Sequence, residues 1–162
     1  MKIVEYNNSN DIWVQFEQGE PVHTQWTPFI KGEVTNVYDI SIYGVGSIGD
    51  GLYKTSVKGK ISPQYKSWHS MMTRCYNDKY QEKQPTYKGC TVVEEWHNFQ
   101  NFAKWYDENY YEVEGDKMQL DKDIIVKGNK VYSPNTCVFV PQSINKLFIK
   151  KEFKRGKLPI GV

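Results

Sequence analysis

From Ile3 to Phe16 apolar and polar residues largely alternate, with Ile12, Val14 and Phe16 on one face. This period of two predicts two short strands, with Asn7 to Asp11 supplying the turn between them. A second turn at Gln18-Gly19-Glu20-Pro21 precedes Val22, Thr24 and Trp26, and Pro28 to Gly32 breaks the pattern again. The run YGVGSIGDGLYKTSVKG then places Gly44, Gly46, Gly49 and Gly51 where they permit tight turns or bulges between aromatic-flanked strands, so residues 38–60 read as a hairpin connecting two modules.

After Pro63 the period changes. Tyr65, Trp68, Met72 and Cys75 recur at helical spacing and predict an amphipathic helix over about 64–77. A polar stretch follows to Pro85, Thr91 to Val93 suit a short strand, and Trp96, Phe99, Phe102, Ala103 and Tyr106 mark a second helix. The last third reads MQLDKDIIV, a Gly128-Asn129 turn, VYSPNTCVFV, and then Pro141 opening QSINKLF as a helix. Strand, turn, strand and helix make a ββα unit. The fold class expected is α+β: a small SH3-like β module with its glycine-rich hairpin over 1–60, a helical region plus the ββα unit over 61–150, and a basic tail over 151–162.

Composition narrows this picture. A chain of 162 residues holds one ordinary domain or two small ones, and its 15% aromatic share assigns the core to aromatic packing. The two aromatic stripes could instead form a base-stacking platform, but at helical spacing core packing is the reading they favour. A net charge of +2 is too small to imply a nucleic-acid partner from the global field, so that reading depends on a local basic patch. Cys75, Cys90 and Cys137 are widely spaced with no C-x-x-C pair, which points to reduced core thiols in place of a disulfide framework or zinc knuckle. No segment has the apolar length of a signal peptide or membrane helix, so the expected compartment is the cytoplasm, with no membrane partner. Gly44, Gly46 and Gly49 match G-x-G-x-x-G, but Asp50-Gly51 continues as a turn where a phosphate-binding loop would open a helix.

One ordered series is more specific than any of its parts. Trp68-x-x-Met71-x-x-Arg74-Cys75-Tyr76, Tyr87-x-Gly89, Trp96-x-x-Phe99-x-x-Phe102, Leu120-Asp121-Lys122-Asp123, Gly128-Asn129 and Tyr132-Ser133-Pro134-x-x-Cys137 together resemble a phage and prophage group of HNH-like endonucleases over roughly residues 65–148. The amino-terminal stretch is similar to a small β module of phage proteins. The ending RGKLPIGV resembles the start of an AP2-type DNA-binding domain, which in related phage proteins follows this ββα unit. The resemblance implies a bacterial-host cytoplasmic setting and duplex DNA as partner.

The resemblance also implies a site. In the family, a carboxylate and a general-base histidine on the first strand, with Asn or His on the helix, hold one divalent metal for phosphodiester hydrolysis. Asp121 matches the metal-ligand position, Lys122 stands where the base histidine would be, Asn135 falls near the central Asn, and Asn145 matches the helix position. The expected catalytic set is thus Asp121, Lys122 and Asn145, with Mg²⁺ or Mn²⁺ held by Asp121 and Asp123, two apart on one strand face. That carboxylate pair is also ordinary on an exposed strand face, and such pairs on β edges more commonly serve only to discourage aggregation.

The departure is the histidine. His23, His69 and His97 all lie outside the ββα unit. Lys122 would act as a base only if its pKa fell by roughly three from about 10.4, whereas as a cation it would hold a phosphate. Weak cleavage at best is the expectation. The nucleic-acid contacts expected are Arg74, joined by Lys66, and the segment Lys146, Lys150, Lys151, Lys154 and Arg155, which reads equally as a solvated tail. A non-catalytic protein that occupies a host defence protein fits the missing histidine as well.

Overall fold

A computed structural model of the chain describes residues 1–17 and 19–148, with side chains through Leu147. The alternating start forms a three-stranded antiparallel meander: β1 (Lys2–Asn8), β2 (Asp11–Gln15) and β3 (Val22–Thr24). Ile12 pairs with Tyr6 and Thr24, and Val14 with Ile3 and Val22. This register turns Ile12 and Val14 to one side, where both are fully buried. Trp26 opens a short helix, α1 (Trp26–Ile30), where the pattern suggested more strand. Its N–H donates to Ser9 O at 2.8 Å, tying α1 to the first turn.

The main core is helical and aromatic. Ser62 caps α2 (Pro63–Tyr76) by accepting from the Tyr65 N–H, and Pro63 occupies the first turn, where its missing N–H costs nothing. α2 buries Trp68, Met71, Met72 and Cys75. Asn77 ends α2 and caps α3 (Asp78–Lys83), a helix that the polar stretch before Pro85 conceals. Trp96 lies in a single tight turn over 94–97, and α4 (Phe99–Asn109) begins three residues later because the Asn98 side chain accepts from the Gln100 N–H at 2.9 Å. Trp68 donates its indole N–H to Trp96 O at 2.7 Å, while Trp96 meets Phe102 edge-on at 5.0 Å and Trp105 at 4.7 Å.

The glycine-rich segment belongs to this core. Ile42, Tyr43, Val45, Ile48 and Tyr53 pack against it, so the expected boundary at residue 60 does not follow the packing. Ser47 N–H donates to His97 O and Ser47 O accepts from Phe99 N–H, both at 3.0 Å. The Gln100 side chain accepts from Tyr53 N–H at 3.0 Å and donates to the carbonyls of Ile48 and Tyr53. The true hairpin is shorter and later: β4 (Ser56–Val57) and β5 (Lys60–Ile61) close around Lys58 and Gly59, whose φ angles of 50° and 74° suit a two-residue primed turn.

In the last third, β7 (Met118–Asp121) pairs antiparallel with β9 (Val138–Pro141), and α5 (Gln142–Phe148) follows β9 directly. The expected long second strand is split. Ser133 O accepts from the N–H groups of Thr136 and Cys137, a turn started by Pro134, and this separates β8 (Val131–Tyr132) from β9. β8 instead pairs in parallel with β6 (Thr91–Val92). The whole is a mixed α+β fold of small sheets and several helices.

Candidate functional site

The residues proposed for chemistry lie at the end of β7 and in the loop after it. β7 stops at Asp121, so Asp121 and Asp123 do not share a strand face as a continuing strand would have placed them. Asp121 Oδ1 accepts from the N–H groups of Asp123 at 2.6 Å and Ile124 at 2.8 Å, which turns the chain off the sheet. One oxygen of the expected metal ligand is therefore engaged with its own backbone.

Lys122 is buried, where the sequence suggested a cation open to a phosphate. Its Nζ donates to Asp123 Oδ2 and to Asn129 O, each at 2.7 Å, and lies 5.8 Å from the centre of the Tyr132 ring. Asn129 completes a reciprocal clamp. Its Nδ2 donates to Lys122 O at 2.9 Å and Val131 O at 2.6 Å, and its Oδ1 accepts from Val131 N–H at 3.1 Å. The sequence identified Gly128-Asn129 as a turn, and Gly128 does take φ +78°. The clamping role of Asn129 has no sequence signal beyond the preference of asparagine for turns.

Asn145 on α5 donates to Gln119 Oε1 at 2.8 Å, which places it on β7 two residues before Asp121. Asn135 is exposed in the turn between β8 and β9. Lys146 is exposed in the last turn of α5, while Lys150, Lys151, Lys154 and Arg155 lie outside the described residues. Asp116, which sequence reasoning did not single out, holds the start of α5: it accepts from Ser143 N–H at 3.1 Å, from Ser143 Oγ and from Lys117 N–H. These donors, the Ser143 hydroxyl foremost, hold its carboxyl below the ordinary carboxylate range.

Arg74 lies on α2 with its guanidinium 5.6 Å from the centre of the Tyr87 ring. Burial pulls the guanidinium down, but the neighbouring phenols of Tyr132 and Tyr87 outweigh it, and Arg74 remains a cation. Lys66 and Arg74 share one face of α2 and line one cleft, so these two members of the expected basic patch are brought together.

All three histidines have structural contacts. His23 pairs with Asp11 at 2.9 Å on the amino-terminal sheet, His69 lies between the rings of Tyr43 and Tyr65, and His97 Nε2 is 3.1 Å from Val92 O and 3.3 Å from the Tyr76 hydroxyl. Cys75, Cys90 and Cys137 are free and buried, and burial pushes the thiols of Cys75 and Cys137 up to about 12, leaving them poor nucleophiles. Among the described residues no three His, Cys, Asp or Glu side chains gather to share a metal ion, and no helix is long and apolar enough to cross a membrane. Compared with protein-family models, curated proteins and solved structures, the chain matches none.

Proposed function

We propose that this is a duplex-DNA-binding protein of HNH-like type, phage-encoded and acting in the host cytoplasm, with metal-dependent cleavage weak or lost. One observation carries the reading: β7 and β9 form an antiparallel pair from which α5 continues directly, and Asn145 docks that helix back onto β7. This is the strand–strand–helix order of the family's ββα unit. In this reading β1–β3 correspond to its SH3-like module, and Lys66, Arg74 and Lys146 carry the phosphate contacts together with the basic residues beyond 148.

The loss of cleavage rests on Lys122. A base must be free to take a proton from water, and the Lys122 Nζ already donates to Asp123 and Asn129. Any residual activity would use Asp121 as ligand of Mg²⁺ or Mn²⁺ through the oxygen left open, Asn145 as orienter and Asp123 as second ligand in exchange for Lys122.

The test is gel-shift binding to duplex DNA across a salt series, with and without Mg²⁺ or Mn²⁺, scored also for nicked product. Binding that weakens steeply with salt is expected, because displaced counterions drive phosphate contacts. No shift at low salt would sink the reading. If nicking is found, Asp121→Ala should abolish it while leaving the unfolding midpoint close to the parent's.

A specific observation favours a second reading, a protein that binds a host defence protein. The amino-terminal unit exposes Val4, Tyr6, Trp26 and Ile30 by 40% or more, and exposed aromatic and aliphatic residues close in sequence suit a protein contact. A salt-insensitive complex with such a protein, and none with DNA, would decide for it.

A further inference from the structure

Between α2, the end of α4 and β7 the surface opens into a cleft of about 550 Å³. Its walls differ in chemistry because two elements present different faces to it. α2 buries Trp68, Met72 and Cys75 on one side and turns Lys66, Ser67, Ser70 and Arg74, at helical spacing, into the cleft. Facing them are Tyr106 and Tyr110 from the end of α4, stacked at 4.7 Å and 12°, with Met118 from β7 and Phe139 from β9. Lys117 stands on the strand side with Glu112 and Asp116.

The charge balance favours an anion. Lys66, Arg74 and Lys117 outnumber the two carboxylates of the lining, exposed Glu112 and Asp116, whose ionised oxygens already accept from Ser143 and the Lys117 N–H. Among the described residues Lys66, Arg74 and Lys117 form no ion pair, and Arg74 Nε is buried without a hydrogen-bond partner. The Tyr87 ring and the neighbouring Tyr132 phenol account for where the guanidinium lies. They do not neutralise it, so its charge adds to the positive field of the cleft that Arg74 lines. The volume falls in the range of small-molecule sites and far exceeds what an inorganic anion needs, while the aromatic wall suits a flat ring.

We infer that this cleft binds a nucleotide, with its phosphate among Lys66, Ser67, Ser70, Lys117 and the field of Arg74, and its base against Tyr110 and Met118. The inference goes beyond the duplex reading and does not depend on it. The same chemistry has two sources: a free nucleoside 5′-phosphate, or the 5′-phosphorylated end of a DNA strand.

The experiment is calorimetric titration of the full chain at low salt with 5′-dAMP, deoxyadenosine and inorganic phosphate, and with a short single strand bearing either a 5′-phosphate or a 5′-hydroxyl. 5′-dAMP should bind at least tenfold more tightly than deoxyadenosine or phosphate, or the phosphorylated strand at least tenfold more tightly than its hydroxyl form. Whichever of the two binds better names the source. Arg74 packs on Tyr87, so its replacement risks the fold; Lys117→Glu and Ser70→Glu carry the test instead, with circular dichroism and the unfolding midpoint showing that they fold. Each should weaken binding at least tenfold, Glu112→Gln should tighten it, and Lys79→Glu on α3 should leave it unchanged. No gain from the 5′-phosphate on either ligand, or full affinity in folded Ser70→Glu, would overturn the inference.

Discussion

Lys122 shows how a residue's role follows from what surrounds it. By type it is a surface cation, yet it is 6% exposed and pins Asp123 and Asn129 across the loop after β7. Its removal strands the Asn129 carbonyl and opens a gap beside Tyr132. Asp123, half exposed, recovers water when released, so the cost stays below that of a fully buried pair. Lys122→Ala should destabilise the fold by about 1–3 kcal/mol, seen as a lower urea midpoint at unchanged slope. Asp123→Asn should cost clearly less, and equal losses would refute the assignment of Asn129 as the main partner.

The cysteines act on the same scale through protons. Unfolded thiols titrate near 9.0, while folded Cys75 and Cys137 hold their protons to about 12. Between these values the unfolded chain binds fewer protons than the native one, so the stability that neutral burial favours is full below about pH 9 and is lost as pH rises towards 12. Each thiol contributes a slope of roughly 1.4 kcal/mol per pH unit in that window. Burial raises the Tyr132 phenol as well, adding to the loss above its unfolded value of 10.0. The urea midpoint should fall from pH 9 to pH 10.5, and a level midpoint there would mean that these groups are not buried together.

At the scale of elements, the glycine-rich segment divides into two kinds of glycine. A Cβ on Gly46 would stand 2.9 Å from both Met72 Cε and Trp68 Cη2, and both side chains are fully buried and unable to yield easily. Gly44 has open space around it but φ +68°. Gly46→Ala should therefore cost about 1–3 kcal/mol through overpacking, and Gly44→Ala about 1–2 kcal/mol through backbone strain. A larger residue separates the two mechanisms: Gly46→Val should be much worse than Gly46→Ala, whereas Gly44→Asn should recover most of the loss at 44, since asparagine tolerates that region. Thermal unfolding of the four variants checks both statements.

The same segment marks the limit of what the sequence shows about elements. α2, α4, β1 and β2 are legible because their apolar residues repeat at 3.6 or 2 over enough positions to fix a face. The strap over 42–53 has no period at all; its aromatic residues read as strand flanks, and only its packing, with Gly46 close against Trp68, shows that it is core. α3 is hidden by its polarity, although Asn77 followed by Asp78 is an adequate start signal. In the candidate site, the order of β7, β9 and α5 follows from pattern, but the burial of Lys122 does not. That depends on Asn129 and Tyr132 closing over it, and no spacing rule encodes such a contact.

On the scale of the whole molecule, Ile12 and Val14 are buried apart from the aromatic cluster that unites α2, α4 and the later strands. The chain thus has a small β core at its start and a larger aromatic core after it, an organisation that the switch from a period of two to one of 3.6 near Pro63 foretells only in part. The boundary moves because Ile42 to Tyr53 side with the second core.

The parallel pairing of β6 with β8 joins Thr91 to Val131 and Val92 to Tyr132, with all of α4 and β7 lying between them in the chain. Two rungs are a small reward for closing so long a loop, and loop entropy must be met before non-local contacts repay it. The register of β8 should accordingly form after α2 and α4 have docked. Weakening it with Val131→Ala should speed unfolding while hardly slowing refolding, which stopped-flow chevrons would reveal as a shift confined to one limb.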